Sequence, residues 1–161
     1  MALYILSERE WGKLREIRLA ALRESPAAFL STYCEELTYK EQEWRSEFGR
    51  GEWIIEVRDS EAIALIGVTW EKDAPSDECY LEYMWVSPNF RRRGVATELV
   101  QKVLQRLLSL GFATIWLWVL DGNEPAKHLY EKCGFDSTET KQRPYRKPSR
   151  SEELMRLSLS R

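Results

Sequence analysis

The apolar and polar positions near the start of the chain follow two different periods, which predicts a strand followed by a helix. Residues 1–6 are mostly apolar and predict a short strand. Residues 7–10 form a capping box, and apolar residues at helical spacing follow from Trp11 to Leu22. This pattern predicts a first helix that ends before Pro26, because proline disfavours helical conformation in the residue before it.

A second helix and a hairpin are predicted next. Residues 38–41 have the pattern of another capping box and predict a short helix through about Phe48, with residues 27–37 as the connection. Residues 52–58 and 62–70 are rich in β-branched and aromatic side chains and flank a short polar turn. These two runs predict a β-hairpin, after which an acidic loop leads to a further strand.

Residues 80–111 pass from a strand through a cationic glycine turn into a helix. The apolar alternation stops at Ser87-Pro88, three arginines and Gly94 follow, and an amphipathic run begins at Val95. The first amides of a helix lack intrahelical partners, so together with the helix dipole they form an anion site that nearby arginines strengthen. Gly94 allows a ligand to approach the backbone closely. The segment therefore predicts a phosphate-binding turn, although the commoner glycine-rich phosphate patterns are absent.

The remaining residues predict a strand, a helix and a closing strand. Residues 113–120 form an apolar, aromatic run that predicts a strand. A polar turn and a helix follow. The chain after Phe135 is turn-rich and basic until residues 153–160, which predict the closing strand.

Composition predicts one domain over residues 1–161. The chain is 43% hydrophobic and has a net charge of −2, which favours a single core and gives no global field for binding nucleic acid. Its three cysteines lack a C-x-x-C spacing, which argues against a disulfide framework or zinc site and favours a cytoplasmic protein. No signal-peptide pattern or membrane-spanning apolar run is present, so no membrane partner is expected.

The R-x-x-G-x-A segment from Arg91 to Ala96 resembles the acetyl-coenzyme A signature of the GNAT superfamily of N-acetyltransferases. The resemblance continues downstream in order and spacing. Asn123 follows the predicted fifth strand, Tyr130 lies on the next helix, and Gly134-Phe135 precede the sixth strand.

The resemblance implies an α/β (α+β) GNAT fold with a single mixed, largely antiparallel sheet of about six or seven strands and about four helices. The fourth and fifth strands are expected to run parallel and splay apart, with the pantetheine arm of acetyl-CoA between them. Acetyl-CoA is the implied acyl donor, and no metal is implied. The implied cofactor-binding residues are Met84, Trp85, Val86, Arg91, Arg92, Arg93, Gly94, Val95, Ala96, Thr97 and Asn123.

Two side chains are candidate catalytic groups. With a strand period of two, Glu82 shares a face with Met84, whose amide is the candidate donor to the thioester carbonyl, so Glu82 is the candidate base. The alternative for Glu82 is a surface carboxylate paired with an arginine. Tyr130 is implied to protonate the departing sulfur, whereas packing with Leu129 and Phe135 is its alternative role.

The acceptor site is expected in two loops that the motif does not cover. Aromatic and acidic side chains of the first loop suit a cationic amine. The second loop, residues 141–150, is basic and either attracts an acidic group or is a solvated, mobile face. The candidate substrate-binding residues are Phe29, Tyr33, Glu35 and Tyr145.

These interpretations predict an enzyme that transfers an acetyl group from acetyl-CoA to a primary amine of a small molecule or peptide by direct attack in a ternary complex. Trp118 is a departure, because the ribosomal-protein alanine acetyltransferases that this stretch resembles have a catalytic glutamate there. The alternatives are an acetyl-CoA-binding regulatory module without turnover and a peptide or protein N-terminal acetyltransferase. A homodimer is left open.

Overall fold

In the computed structural model, which describes residues 3–159, the chain forms seven strands and five α-helices. The strands are β1 (Tyr4–Ile5), β2 (Gly51–Arg58), β3 (Glu61–Thr69), β4 (Glu78–Val86), β5 (Thr114–Leu120), β6 (Asp136–Gln142) and β7 (Glu152–Ser158). The helices are α1 (Trp11–Glu24), α2 (Tyr33–Leu37), α3 (Glu41–Ser46), α4 (Val95–Ser109) and α5 (Glu124–Lys132). Short 3-10 helices occupy Glu8–Glu10, Pro26–Ala28, Glu47–Gly49 and Pro88–Phe90. Residues 1, 2 and 160 of the predicted terminal strands lie outside the described residues.

The strands form one mixed sheet in the order β1-β2-β3-β4-β5-β7-β6. Every neighbouring pair is antiparallel except β4 and β5, which run parallel. These two strands pair only from Glu78↔Thr114 to Tyr80↔Trp116. Beyond that point the two strands separate, as predicted, and a cleft opens between their carboxyl ends.

A β-bulge in β4 changes which side chains face which side of the sheet. Ile66 of β3 lies opposite both Tyr83 and Met84, and Tyr83 has a left-handed φ of 55°. Before the bulge Leu81 faces the α4 side, whereas after it Met84 packs against that same side. The expectation that Glu82 and Met84 share one face is therefore wrong, because the extra residue of a bulge shifts the alternation by one position.

Two apolar cores cover the two faces of the sheet. One lies under α4 and α5 and includes Leu99, Val103 and Tyr130. The other lies under α1 and α3 and includes Trp44 and Trp53. Because both faces are covered, the central strands β3 and β5 are apolar along most of their length.

The start of α3 differs from the prediction. Lys40 is its N-cap, and the Lys40 amide donates to the Glu43 carboxylate at 2.5 Å. Thr38 ends α2 instead, and its hydroxyl donates to the carbonyl of Glu35 at 2.7 Å. The capping box predicted over residues 38–41 is wrong, because Glu43, rather than Glu41, reaches back to the N-cap.

Residues 27–37, predicted as a connection, contain α2. The side chain of Thr32 accepts a hydrogen bond from the amide of Glu35 at 3.2 Å and caps this helix. The chain therefore has one more helix than the four expected. Between residues 3 and 159, no helix has both the length and the apolar character needed to span a bilayer.

Candidate active site

A cavity of about 390 Å³ lies where β4 and β5 separate. Residues 81–84 of β4 form one wall, and residues 118–120 of β5 form the other. The segment at residues 28–31 covers the cavity, and charged side chains from the α1 side close it. Other residues that line the cavity include Arg18, Glu36, Tyr39, Glu47, Arg50, Asn123, Tyr130, Arg146 and Glu152.

The turn between β4 and α4 presents unpaired backbone amides. Gly94 is the N-cap of α4, with φ 80° and ψ 0°, and it has no capping side chain. The amide of Glu98 is the first to bond back within the helix, to the Gly94 carbonyl at 2.9 Å. The amides of Val95, Ala96 and Thr97 therefore have no intrahelical acceptor. Three donors at the positive end of a helix dipole suit a pyrophosphate.

The three arginines of this turn differ in their contacts. Arg91 donates from Nε to the Val86 carbonyl at 2.8 Å and makes two hydrogen bonds to Glu24 at the end of α1, of 2.5 and 3.1 Å. Arg92 and Arg93 are exposed and have no ion pair among residues 3–159. Only these two guanidinium groups are free to meet a phosphate, whereas Arg91 ties the turn to α1.

Residues 84–86 have separate roles in the structure. The Trp85 side chain is buried on the α1 side, where its Nε1 donates to Glu24 at 3.0 Å. The Ser87 amide bonds to the Ile63 carbonyl of β3, so the amide and carbonyl of Val86 point to the opposite edge, toward the cleft. Met84 lines the cavity itself. Of the backbone groups expected to meet the pantetheine arm, those of Val86 therefore point toward the cleft.

Tyr130 lies between the core and the cavity. Its side chain is 7% exposed, and its ring packs edge-on against Phe135 with 5.8 Å between centroids. Burial raises the pKa of Tyr130, so the phenol stays protonated. Its hydroxyl has no hydrogen-bond partner among the described residues. The packing role and the proton-donor role considered for Tyr130 are therefore compatible.

Asn123 is the N-cap of α5 and also lines the cavity. Its Oδ1 accepts a hydrogen bond from the Ala126 amide at 3.4 Å. The Nδ2 group has no partner within residues 3–159, so it is available to a ligand. The capping role explains why an asparagine stands at this position.

Glu82 is a half-buried carboxylate on the cavity wall. Its side chain is 32% exposed, and the nearest ion pair, to Arg50, is long at 3.8 Å. Burial raises the pKa of Glu82 and outweighs the lowering effects of Arg50 and a hydrogen bond with Thr69. A carboxylate with a raised pKa in a cavity has the properties of a general base.

The four candidate acceptor residues lie in four different environments. Phe29 is buried, lines the cavity and stacks on Tyr83 with 6.2 Å between ring centroids. Glu35 lies outside the lining but pairs with Arg146, which does line it, at 3.1 Å. Tyr33 lies instead in an outer concavity of α1, under the guanidinium of Arg23. Tyr145 is 98% exposed and lies away from the cavity.

The basic loop docks onto the segment that covers the cavity. Lys147 donates to the carbonyls of Pro26 and Phe29, and Arg150 donates to the Ala27 carbonyl at 2.6 Å. Both cations thus bind backbone oxygens of the 3-10 turn. Lys147 and Arg150 are therefore tied to this segment, whereas most of the loop, including Tyr145, is exposed to solvent as one of the two alternatives expected.

Sequence reasoning missed a buried charge cluster around Arg18. Arg18 is 2% exposed, and its Nε donates to fully buried Glu36 at 3.0 Å. Its guanidinium also lies 3.1 Å from Glu47 and 4.3 Å from the centroid of the Tyr83 ring. The spacing along α1 could have revealed that Arg18 is buried. Arg18 follows buried Leu14 by one helical turn and therefore lies on the same apolar face of the helix.

Glu152 and Trp118 complete the far wall. Glu152 is 5% exposed, lies opposite Leu120 and accepts a hydrogen bond from Gln142 at 2.8 Å. The sequence analysis predicted the closing strand from residue 153 onward and therefore did not identify Glu152 as a site residue. Trp118, the departure noted from the resemblance, also lines the cavity. Among residues 3–159, no group of three or more His, Cys, Asp or Glu side chains is arranged to hold a metal.

Comparisons with known proteins give one consistent result. A sequence model described as the acetyltransferase (GNAT) family matches residues 14–135. Over 104 residues the chain is 33% identical to the mycothiol acetyltransferase of Propionibacterium freudenreichii subsp. shermanii, which covers 62% of this chain and 31% of that protein. Over 77 residues it is 32% identical to the ribosomal protein bS18-alanine N-acetyltransferase of Haemophilus ducreyi, with 48% of this chain and 53% of that protein covered. The chain thus spans between about a third and about half the length of these curated relatives.

The fold matches solved structures over its full length. YncA from Salmonella typhimurium, whose structure includes its cofactor acetyl-CoA, superimposes with a TM-score of 0.77 at 13% identity. The match covers 100% of this chain and 95% of that chain. At 13% sequence identity, this similarity establishes the fold alone.

Proposed function

The chain belongs to the GNAT family of acetyltransferases, and from this premise we propose that it transfers the acetyl group of acetyl-CoA to a primary amine by direct attack within a ternary complex. Acetyl-CoA, the acyl donor, supplies an activated thioester. The observation that carries the proposal is that Tyr130 and Glu82 line one cavity between β4 and β5, and that β4 continues through the arginine turn to the unpaired amides of α4.

The described residues fit the donor along its length. The amides of residues 95–97 and the free guanidinium groups of Arg92 and Arg93 suit the pyrophosphate. The cleft edge at Val86 offers an amide to the pantetheine arm, and the Nδ2 of Asn123 offers a second donor. The thioester then lies in the cavity beside Met84, whose amide we assign to the carbonyl oxygen as negative charge develops there.

Glu82 serves as the base in this mechanism. An ammonium group has no lone pair and cannot attack until it loses a proton, which Glu82 accepts directly or through water. The N–C bond then forms while the C–S bond breaks, and the acylated nitrogen releases its second proton to solvent. The raised pKa of Glu82 brings the carboxyl closer to operating pH than an ordinary glutamate.

Tyr130 supplies the second proton transfer. Its neutral phenol donates to the departing sulfur, and the phenolate regains its proton from solvent or from the base. The net products are an N-acetylated amine, coenzyme A and one proton. The unpaired hydroxyl in the cavity and the raised pKa of Tyr130 support this role.

Thiol release from acetyl-CoA with a panel of primary amines, combined with calorimetry, tests the proposal. We expect acetyl-CoA to bind and at least one amine to be acetylated. Binding without turnover of any amine would indicate the regulatory module instead. Acetylation restricted to peptide N-termini would favour the N-terminal acetyltransferase.

Glu82→Gln tests the base. We expect kcat/KM to fall by about 100-fold or more, within the usual range for general-base removal. In the unmodified enzyme the acid limb is expected above pH 4.5, since the pKa of Glu82 is raised from that ordinary value. Glu52→Gln, on β2 of the same sheet and paired with Arg106 at 2.9 Å, is the matched control. An unchanged rate in the Glu82 variant would return this residue to a structural role.

A further inference from the structure

The charges that line the cavity are paired, with one exception. Arg18 neutralises Glu36 and contacts Glu47, while Arg50 lies between Glu47 and Glu82. Arg146, the third lining arginine, pairs with Glu35. Glu152 is the exception, since no cationic side chain of residues 3–159 lies within ion-pair distance of its carboxylate.

The position of Glu152 in β7 directs it into the cavity. Its neighbour Glu153 lies on the opposite face of the strand, where it pairs with Lys127 of α5 at 3.1 Å and accepts from Ser137 at 2.8 Å. Successive strand residues alternate, so Glu152 faces the acceptor side together with Leu120, its partner in β5. The two adjacent carboxylates therefore have opposite surroundings, one paired with a lysine and one facing a cavity.

A buried carboxylate without a cation is unfavourable. Burial weakens the hydration of a charge unless a partner compensates for it, and the single hydrogen bond from Gln142 uses only Oε1. Oε2 has no hydrogen-bond partner among the described residues. A ligand ammonium would provide both the missing charge and the missing donor.

The aromatic lining suits the rest of such a ligand. Phe29, Tyr39, Tyr83 and Trp118 all line the same cavity. Their rings favour contact with methylene groups and with cationic nitrogens. A short aliphatic chain that carries positive charge matches this environment.

Sheet geometry separates Glu152 from the proposed base. Glu82 lies two residues beyond the pair Tyr80↔Trp116, while Glu152 is paired with Leu120, four residues beyond Trp116. With a strand spacing of about 4.8 Å and a rise of about 3.3 Å per residue, a regular sheet would place their backbones roughly 12 Å apart. The separation of β4 from β5 makes the distance larger, and both side chains line the cavity between them. Two nitrogens joined by a few methylene groups can therefore contact one carboxylate each.

We propose that the acceptor is an aliphatic amine with a second cationic nitrogen, which Glu152 binds while the other nitrogen reacts beside Glu82. This inference rests on the proposed acetyl transfer to an amine. It assigns Glu152 to substrate selection and leaves the chemical step to the groups described above.

A matched substrate series tests the inference. The series consists of n-butylamine, 1,4-diaminobutane and 4-aminobutanoate, together with diamines of three, five and six carbons. We expect kcat/KM for the best diamine to exceed that for n-butylamine by about 10- to 100-fold, the range for a hydrogen bond to a charged group. The aminobutanoate should be the poorest acceptor, because its carboxylate meets Glu152.

Two single variants sharpen the test. Glu152→Gln should reduce the diamine preference to within a few-fold of unity, mainly by raising KM for the diamine. Glu153→Gln removes the neighbouring carboxylate on the other face and should keep the preference. Melting temperature and calorimetric titration with acetyl-CoA check that each variant is folded and binds donor.

The outcomes separate the two proposals. Acetylation of n-butylamine and the diamines with equal kcat/KM overturns the role of Glu152 and leaves the proposed function intact. A diamine preference that survives in Glu152→Gln also overturns it. If no amine in the series is acetylated, this inference fails, and the proposed function is decided separately by the wider panel of primary amines and peptides. Should Glu152→Gln fail to fold, the inference is decided by whether the unmodified enzyme prefers the diamine over n-butylamine.

Discussion

The proposed donor side and the proposed acceptor side of the cavity are built in opposite ways. The donor side uses backbone groups, namely the amides of residues 95–97 and the exposed edge of Val86. The acceptor side uses side chains from distant segments, among them Arg18, Glu82 and Glu152. A backbone site requires one short stretch with a defined conformation, whereas a side-chain site requires several elements to be packed correctly against one another.

This difference separates chemistry that does not depend on the acceptor from chemistry that selects it. The amides of a helix N-terminus bind any phosphate, so their chemistry does not depend on the acceptor. On the proposed acceptor side, a charged side chain that has no partner in the protein selects a substrate of opposite charge, whereas a paired side chain does not. Glu24 joins the two sides, since it receives hydrogen bonds from Trp85 and Arg91 and lies at the end of α1.

The largest expected effect is on the stability of the acceptor side. Arg18→Met leaves Glu36, which is fully buried, without its cation, and is expected to lower the free energy of unfolding by about 3–5 kcal/mol. Urea unfolding measures this loss. Arg45→Met is the control, because its pair with Glu41 is on the surface and should contribute less than about 1 kcal/mol. Equal losses in both variants would contradict the structural role of the Arg18 cluster.

The next effect is on the chemical step. Tyr130→Phe keeps the ring against Phe135 but removes the hydroxyl, so kcat is expected to fall by about 100-fold. Calorimetry should show that acetyl-CoA affinity is retained. Tyr145→Phe, at a side chain that is 98% exposed, should leave kcat unchanged. A Tyr130 variant with normal turnover would assign this residue to packing alone.

A smaller effect is expected at the phosphate turn. Gly94 has room for a methyl group, but its φ of 80° makes alanine there unfavourable by about 1–2 kcal/mol. Gly94→Ala should therefore lower the melting temperature and weaken acetyl-CoA binding in calorimetry. Gly49→Ala also adds a methyl group in open space without a positive φ, and should change neither quantity. Unaltered donor affinity in the Gly94 variant would argue against this turn as the phosphate site.

The smallest effect concerns the link between the two sides. Burial raises the pKa of Glu24, but hydrogen bonds from Arg91, Ser25 and Trp85 outweigh it and lower the pKa to about 2, from an ordinary 4.5. A depressed folded-state pKa stabilises the fold above pH 4.5, and this stabilisation is lost as pH falls toward 2. The melting temperature of Glu24→Gln should lie below that of the unmodified protein at pH 7, and the gap should narrow below pH 4.5. A gap that does not depend on pH would contradict the charge-based link.

Much of the fold was predictable because it depends on local patterns. The hairpin β2-β3, the helix that begins at Val95 and the separation of β4 from β5 all agree with the expectations. The second capping box was misplaced because two acidic residues, Glu41 and Glu43, lie within reach of alternative N-caps. The face occupied by Glu82 was mispredicted because a β-bulge leaves no clear mark in an apolar strand.

The candidate site was predictable to different degrees at its two ends. Gly94 and Tyr130 lie in contiguous motifs, which a sequence displays directly. Arg91 is an arginine, as the motif requires. Its side chain nevertheless binds Glu24, which precedes it by 67 positions. Tyr33 was a reasonable candidate by composition, but α2 turns its ring toward Arg23 on the outer surface. Such outcomes depend on how helices pack, and no local pattern encodes them.

The sequence by itself determined the family, the arginine-glycine turn before α4 and the order of all the elements except α2, because these follow from residue spacing within short segments. Only the tertiary structure decided which charges are neutralised and which remain open in the cavity. The pairing of Arg18 with Glu36 and the isolation of Glu152 arise from contacts between distant segments. The energy of a buried charge depends on every neighbour around it, and those neighbours are brought together only when the chain folds.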